Sequence, residues 1–138
     1  MDKIERILGL DIGTKRIGVA ISDPLGIISR ELELVERKSD KFAIKRILEL
    51  CDEYGVKTVV AGVPYNMDGT LGFQAQNCIE FAKLLEPRCK IEFIDESLTS
   101  FEAEKLLKKE KIRYTKNKGL VDLKSACLIL SEYLNIRR

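Results

Sequence analysis

There is no histidine among the 138 residues of this chain, and that absence removes several kinds of chemistry. A Ser-His-Asp or Cys-His nucleophile system cannot be assembled without an imidazole. The commonest zinc co-ligand is missing too, and the four cysteines, Cys51, Cys78, Cys89 and Cys127, show no CxxC spacing that would compensate. Cys51, Cys78 and Cys127 fall at apolar positions of helical patterns, so they are expected as reduced thiols packed like small hydrophobes. No run approaches the roughly 18 apolar residues of a membrane span, and the opening MDKIERILGLDIG has neither a long apolar stretch nor a small-residue cleavage site; the expected location is the cytoplasm. Nor is there an excess of one charge: 24 lysines and arginines face 22 acids, a net +2, so any nucleic-acid surface must come from local clustering. Chemistry, if present, rests on carboxylates, lysines, hydroxyls or a metal.

What is present is enough for one packed core. A 45% hydrophobic content over this length suits a single domain, residues 1–138, and excludes two full ones. Ile7 to Leu10 form a short apolar run meeting a tight turn at Asp11-Ile12-Gly13, which predicts a buried strand. Ile17, Val19 and Ile21 alternate with Gly18, Ala20 and Ser22, the period of a second strand with only small side chains on one face, so something packs closely there. After the turn at Asp23-Pro24-Leu25-Gly26, Leu32 and Leu34 alternate with charged residues, as on a half-exposed antiparallel edge.

A helix is predicted from Ser39 or Asp40 as N-cap, with Ile44, Ile47, Leu48 and Cys51 on one face and an end near Gly55. Val59 to Val63 read as a central parallel strand, closed by a loop at Pro64 and Asp68-Gly69. Ala75, Cys78, Ile79 and Ala82 mark a second helix ending before Pro87, and Ile91, Phe93 and Ile94 a fifth strand with Asp95 and Glu96 at its C-terminal end. Ala103, Leu106 and Leu107 share one further helical face; Leu123, Ala126, Cys127, Leu130 and Leu134 form a longer stripe. The order βββαβαβαα predicts an α/β fold, a five-stranded mixed sheet of three antiparallel N-terminal strands followed by parallel ones, flanked by helices.

In such sheets functional groups gather outside the C-terminal ends of parallel strands, which brings Asp11 and Glu96 to one edge, with Asp122 at the start of the final stripe as a third. Converging carboxylates stay ionised only if a cation neutralises them, and oxygen-only ligands suit magnesium, or manganese. A pair of such ions, ~4 Å apart, would activate an attacking water and stabilise the leaving oxygen. Each acid also has a plainer role open to it: Asp11 as a turn former before Gly13, Asp122 as a helix N-cap, Glu96 as a solvated strand end. Their joint placement is what favours a site.

Four motifs then carry a family resemblance. They are Gly9 through Ala20 (GLDIGTKRIGVA) followed by Ser22-Asp23-Pro24-Leu25-Gly26; Gly62 through Thr70 (GVPYNMDGT); Asp95 through Ser100 (DESLTS); and Asn117 through Asp122 (NKGLVD) with Ser125-Ala126 and Ile129-Leu130. Together, in this order and over almost the whole chain, they resemble the YqgF/RuvX family. The resemblance implies a ribonuclease H-like fold with an acidic, metal-holding triad at Asp11, Glu96 and Asp122. It also implies a metal-dependent nuclease maturing the 5′ end of pre-16S ribosomal RNA, or alternatively a Holliday junction resolvase. Ser97 departs from the family pattern, which has arginine there; a phosphate or carboxylate partner is thereby lost.

From Lys108 to Lys118 six basic residues stand against Glu110 alone. A solvated helix end is the usual meaning of such a run. Because it leads into Asp122, the expectation is a basic segment contacting phosphates through Lys111, Arg113, Lys116 and Lys118, with Tyr114 available to stack on a base. Lys15 and Arg16 follow Asp11 closely enough to meet a phosphate, though either could point into solvent, and Arg16 could instead pair with an acid. Asn66, Asp68 and Thr99 could border the cleft or simply form turns, and Asp23 and Asp95 could support the site or a turn. The expected partner is nucleic acid, pre-rRNA or branched DNA; a two-fold junction would suit a homodimer. Two other classes stay open: Asp-Ile-Gly-Thr-Lys also resembles the first phosphate loop of sugar kinases and actin-like ATPases, and a non-catalytic ribosome-maturation factor would use the same surface.

Overall fold

The computed structural model describes residues 6–66, 68–95 and 118–137; within these, side chains are described to residue 136 and, in the C-terminal helix, from residue 121. The elements are β1 (Ile7–Ile12), β2 (Arg16–Ser22), β3 (Ser29–Glu36), α1 (Asp40–Tyr54), β4 (Thr58–Val63), α2 (Phe73–Lys83), β5 (Lys90–Asp95) and α3 (Lys118–Arg137). They form one five-stranded sheet in the order β3-β2-β1-β4-β5. β1 pairs antiparallel with β2 and β2 with β3, whereas β1–β4 and β4–β5 are parallel. The mixed sheet expected from the sequence is therefore the one observed. The helix expected around Ala103, Leu106 and Leu107 lies outside the described residues. No helix among the described residues is long and apolar enough to cross a membrane.

Strand alternation divides the core in two. Leu8, Leu10, Ile12, Ile17, Val19 and Ile21 point to one face, where they pack on α1 and α2 through Ile47, Leu50, Cys78 and Phe81. On the other face Ile7, Ala20 and Val60 meet Ala126, Ile129, Leu130 and Leu134 of α3. The close approach implied by Gly18 and Ala20 is thus made by α3. A Cβ on Gly9 would stand 2.7 Å from Leu130 Cβ, and one on Gly18 would overlap the main-chain carbonyl of Asp122. Glycine is required at both positions by space.

Helix ends follow the local chemistry. Ser39 caps α1 by accepting a hydrogen bond from Phe42 N at 3.0 Å, and Gly55 ends it in the left-handed region at φ 69°. Cys51 and Cys89 are buried with their sulfurs 3.7 Å apart, Cys78 is buried and Cys127 half-buried, all free thiols. Burial raises Cys127 to about 11, and raises Cys51 further with Cys89 beside it, so both are held as neutral packing groups.

The edge strand β3 is tied to α1 by a two-pronged ion pair, Arg46 Nε and Nη2 each donating to Glu33 at 2.7 Å. Both side chains remain about one-third exposed, so the Glu33→Gln variant should lose only about 1 kcal/mol. The guanidinium holds the Glu33 carboxyl below its ordinary 4.5, so this stabilisation is complete above pH about 4.5 and is lost as pH falls through the folded-state value. Urea unfolding of wild type and variant should accordingly separate at pH 7 and converge in acid.

Candidate active site

β1 runs to Ile12, so Asp11 lies inside the strand, not in the turn after it. It is paired across the ladder with Gly18 of β2, which puts the two Cα atoms ~5 Å apart. Alternation from Ile7 and Gly9 directs Asp11 to the α3 face. There the absent side chain of Gly18 leaves room for the backbone of α3 at Asp122 itself. Two carboxylates 111 positions apart in sequence are thereby brought to one end of the sheet by a glycine standing between them.

α3 begins at Lys118, which places Asp122 within the helix and not at its N-cap. That corrects the capping alternative: the side chain is placed by helical geometry and by its neighbour, not by orphan amides. Arg16, first residue of β2, shares the α3 face with Gly18 and donates from Nε to Asp122 Oδ2 at 3.2 Å. The two side chains are 34% and 25% exposed, so the pair borders solvent. Pairing with an acid, one of the roles open to Arg16, is the one observed. Gly13, Thr14, Lys15, Arg16 and Asp122 line a polar cleft of about 430 Å³, with Thr14 and Lys15 exposed at its rim.

The β1–β2 turn that forms this rim is fixed from behind. Gly13 N donates to Arg16 O at 3.0 Å, and the main-chain N–H of Arg37 to Lys15 O at 2.9 Å. From α2, Gln74 Nε2 donates to Ile12 O at 3.0 Å. Arg37 Nη1 donates to Gly13 O at 2.8 Å. None of these supports is visible in sequence, because Gln74 lies 62 residues from its acceptor and Arg37 lies 24 from Gly13.

The other sequence candidates divide clearly. Glu96, Thr99, Lys111, Arg113, Tyr114 and Lys116 lie outside the described residues, and of Lys118 only its place as first residue of α3 is described. Among the described residues no three acidic, histidine or cysteine side chains gather as a metal-holding group. Asp23 sits beyond the far end of β2 and accepts from Ile27 N and Ile28 N at 2.7 and 2.9 Å, bonds that lower its pKa and make it a turn former. Asp68 likewise accepts from Thr70 N at 3.0 Å and Thr70 Oγ1 at 2.6 Å. Asn66 Nδ2 closes the same loop on Thr70 Oγ1 at 3.0 Å, at the C-terminal end of β4. Asp95 ends β5 exposed, opposite Val63, and alternation from Ile94 turns it to the face away from Asp11.

With this geometry established, known proteins of similar sequence and shape can be set beside the chain. A protein of Trichormus variabilis named "Putative pre-16S rRNA nuclease" is 44% identical over 140 residues, covering 100% of this chain and 93% of its own. One of the same name from Acetivibrio thermocellus is 48% identical over 134 residues, covering 94% and 95%. Among solved structures, the T. thermophilus RuvC complex with Holliday junction substrate superposes with a TM-score of 0.57 at 16% identity, covering 96% of this chain and 95% of that one. The fowlpox virus resolvase complex with Holliday junction DNA gives 0.59 at 17%, covering 96% and 98%. Those distant likenesses establish the fold, the ribonuclease H-like α/β arrangement expected from the motifs. Residues 5–136 match the family described as "RuvX: Holliday junction resolvase", and the chain belongs to the RuvX family.

Proposed function

We propose that this chain, as one domain over residues 1–138, is a metal-dependent nuclease that hydrolyses phosphodiester bonds of structured nucleic acid, with the 5′ end of pre-16S rRNA as its substrate. The observation that carries the chemistry is that Asp11 and Asp122 both adjoin Gly18, beside a cleft rimmed by Lys15 and Arg16. The substrate is taken from the names of the relatives at 44–48% identity. Family membership favours hydrolysis over the phosphotransferase suggested by Asp-Ile-Gly-Thr-Lys.

The donor set fits a hard divalent cation. It offers carboxylate oxygens without imidazole, and a half-open cleft leaves room for the waters that magnesium or manganese retains. Asp11 and Asp122 would hold it, and we assign Glu96, next in sequence after Asp95, as the third ligand. Bound there, the cation would lower the pKa of the attacking water and neutralise charge on the phosphate. Lys15 binds a phosphate oxygen electrostatically, while Arg16, already oriented by Asp122, offers its remaining N–H groups to a second. We assign Lys111, Arg113, Lys116 and Lys118 to contacts with phosphates of the substrate.

Arg16 has a signed consequence. In the metal-free protein its charge stands beside Asp122 and opposes a second cation. The Arg16→Gln variant should therefore bind Mn²⁺ about fivefold more tightly in calorimetry, a ~1 kcal/mol effect after solvent screening, while its KM for nucleic acid rises.

The test of the assignment is cleavage of end-labelled pre-16S rRNA and of a four-way DNA junction by the same preparation, with Mg²⁺, with Mn²⁺ and with chelator. Metal-dependent cleavage at the 5′ end of the mature RNA is expected. Preferential cutting of the junction would instead favour the resolvase reading, which calls for two copies of the chain around a two-fold substrate. A folded protein that binds either substrate and cuts neither would leave the non-catalytic factor as the better reading.

A further inference from the structure

Arg37 is an arginine where the packing asks for an apolar residue. Its side chain is only 7% exposed and its guanidinium lies over the Phe81 ring, 4.7 Å from the centroid. A leucine or methionine would cover Phe81 without burying a charge, and burying a charge is costly unless its donors are matched. Here they are matched to three separate elements: Nη1 donates to Gly13 O at 2.8 Å in the β1–β2 turn, Nη2 to Asn77 Oδ1 at 3.0 Å on α2, and Nε to Asp40 Oδ1 at 2.9 Å in the first turn of α1. The same residue's main-chain N–H donates to Lys15 O. One residue thus holds the turn at two carbonyls, anchored on two helices that line no part of the cleft.

We infer that Arg37 is a positioning residue for phosphate binding: it holds the Gly13–Lys15 turn in the one conformation that presents Lys15 and Arg16 to the substrate. The inference rests on the nuclease reading of the cleft. The path is continuous, from Asp40, Asn77 and Phe81 to Arg37, from Arg37 to Gly13 O, and along the turn to Arg16 and Asp122. Arg37 lines no part of the cleft, so its effect reaches substrate only through the turn. A planar fork with donors in fixed directions suits this role, whereas a lysine ammonium carries its donors on one nitrogen and does not span acceptors on three elements.

The experiment compares wild type with Arg37→Met, which keeps the packing on Phe81, and Arg37→Lys, which keeps the charge. Three quantities are read: amide exchange over residues 13–16, affinity for labelled pre-16S rRNA with Ca²⁺ in place of Mg²⁺, and Mn²⁺ affinity without nucleic acid. Arg37→Met should speed exchange across the turn and weaken RNA binding about tenfold, a displacement effect of the size a small misplacement produces. Mn²⁺ affinity should not fall, since Asp11 is set by the strand and any loosening of Arg16 only removes an opposing charge from Asp122. Arg37→Lys should lie between wild type and Arg37→Met. If Arg37→Met does not fold, Asn77→Ala and Arg37→Lys carry the same comparison. RNA affinity equal to wild type in a folded variant would overturn the inference, even if the melting temperature falls. Wild-type protein that neither binds nor cuts RNA or junction would overturn the nuclease reading and the turn's role with it; binding by wild type alone separates the two failures.

Discussion

Asp11→Asn should abolish metal-dependent cleavage, by a factor on the order of 10³, without unfolding the protein. The side chains have the same shape, and the ladder pairing with Gly18 uses main-chain groups only. What changes is charge. An amide oxygen does not neutralise a divalent ion, so the cation that would activate water is no longer held beside Asp122. Melting curves provide a readout apart from turnover. Mg²⁺ at a hundred times its dissociation constant should stabilise wild type by ~2.7 kcal/mol and the variant hardly at all. Undiminished cleavage by Asp11→Asn would remove Asp11 from the site.

The second large effect is expected at a residue with no side chain. Gly18→Ala places a methyl group on the carbonyl oxygen of Asp122, a main-chain atom that cannot swing aside. α3 must shift away from the sheet, at about 2 kcal/mol or roughly 7 °C in melting temperature. Asp122 moves with it, and a shift of about 1 Å should cost ~10²-fold in kcat at temperatures where the variant is folded. Gly9→Ala is the control. Its methyl group meets Leu130 Cβ at 2.7 Å and Ala126 O at 3.1 Å, two turns and one turn along α3 from Asp122. It should destabilise comparably and keep most of its activity. Equal activity losses in the two variants would show that the seating of α3 as a whole, and not Asp122, sets the rate.

Much of this was legible before any coordinates. Period-two alternation through Ile17, Val19 and Ile21 and the apolar stripe from Leu123 to Leu134 reflect burial on one face, which sequence records directly. Small residues at Gly18 and Ala20 announced a close approach, although not what approached. Asp11 was placed at the correct sheet edge but one element late, because Gly13 suggested an earlier turn than the hydrogen bonds make. Asp122 was placed near a helix start because an acid before an apolar stripe resembles a cap; the helix in fact begins four residues earlier. Arg37 and Gln74 leave no mark in the sequence, because their partners are backbone carbonyls, which carry no residue type.

The two-sided core also sets a temporal order. Residues 6–95 contain all five strands, both helices of the first face and the complete Arg37 clamp, while Asp122 arrives only with α3, after a further stretch of chain. A chain folding from its N-terminus therefore presents a sheet carrying Asp11 and Lys15 before α3 is there to cover its second face. Until α3 docks, the second face of that sheet stays open, with Ile7, Ala20 and Val60 uncovered and Asp122 not yet seated against Gly18.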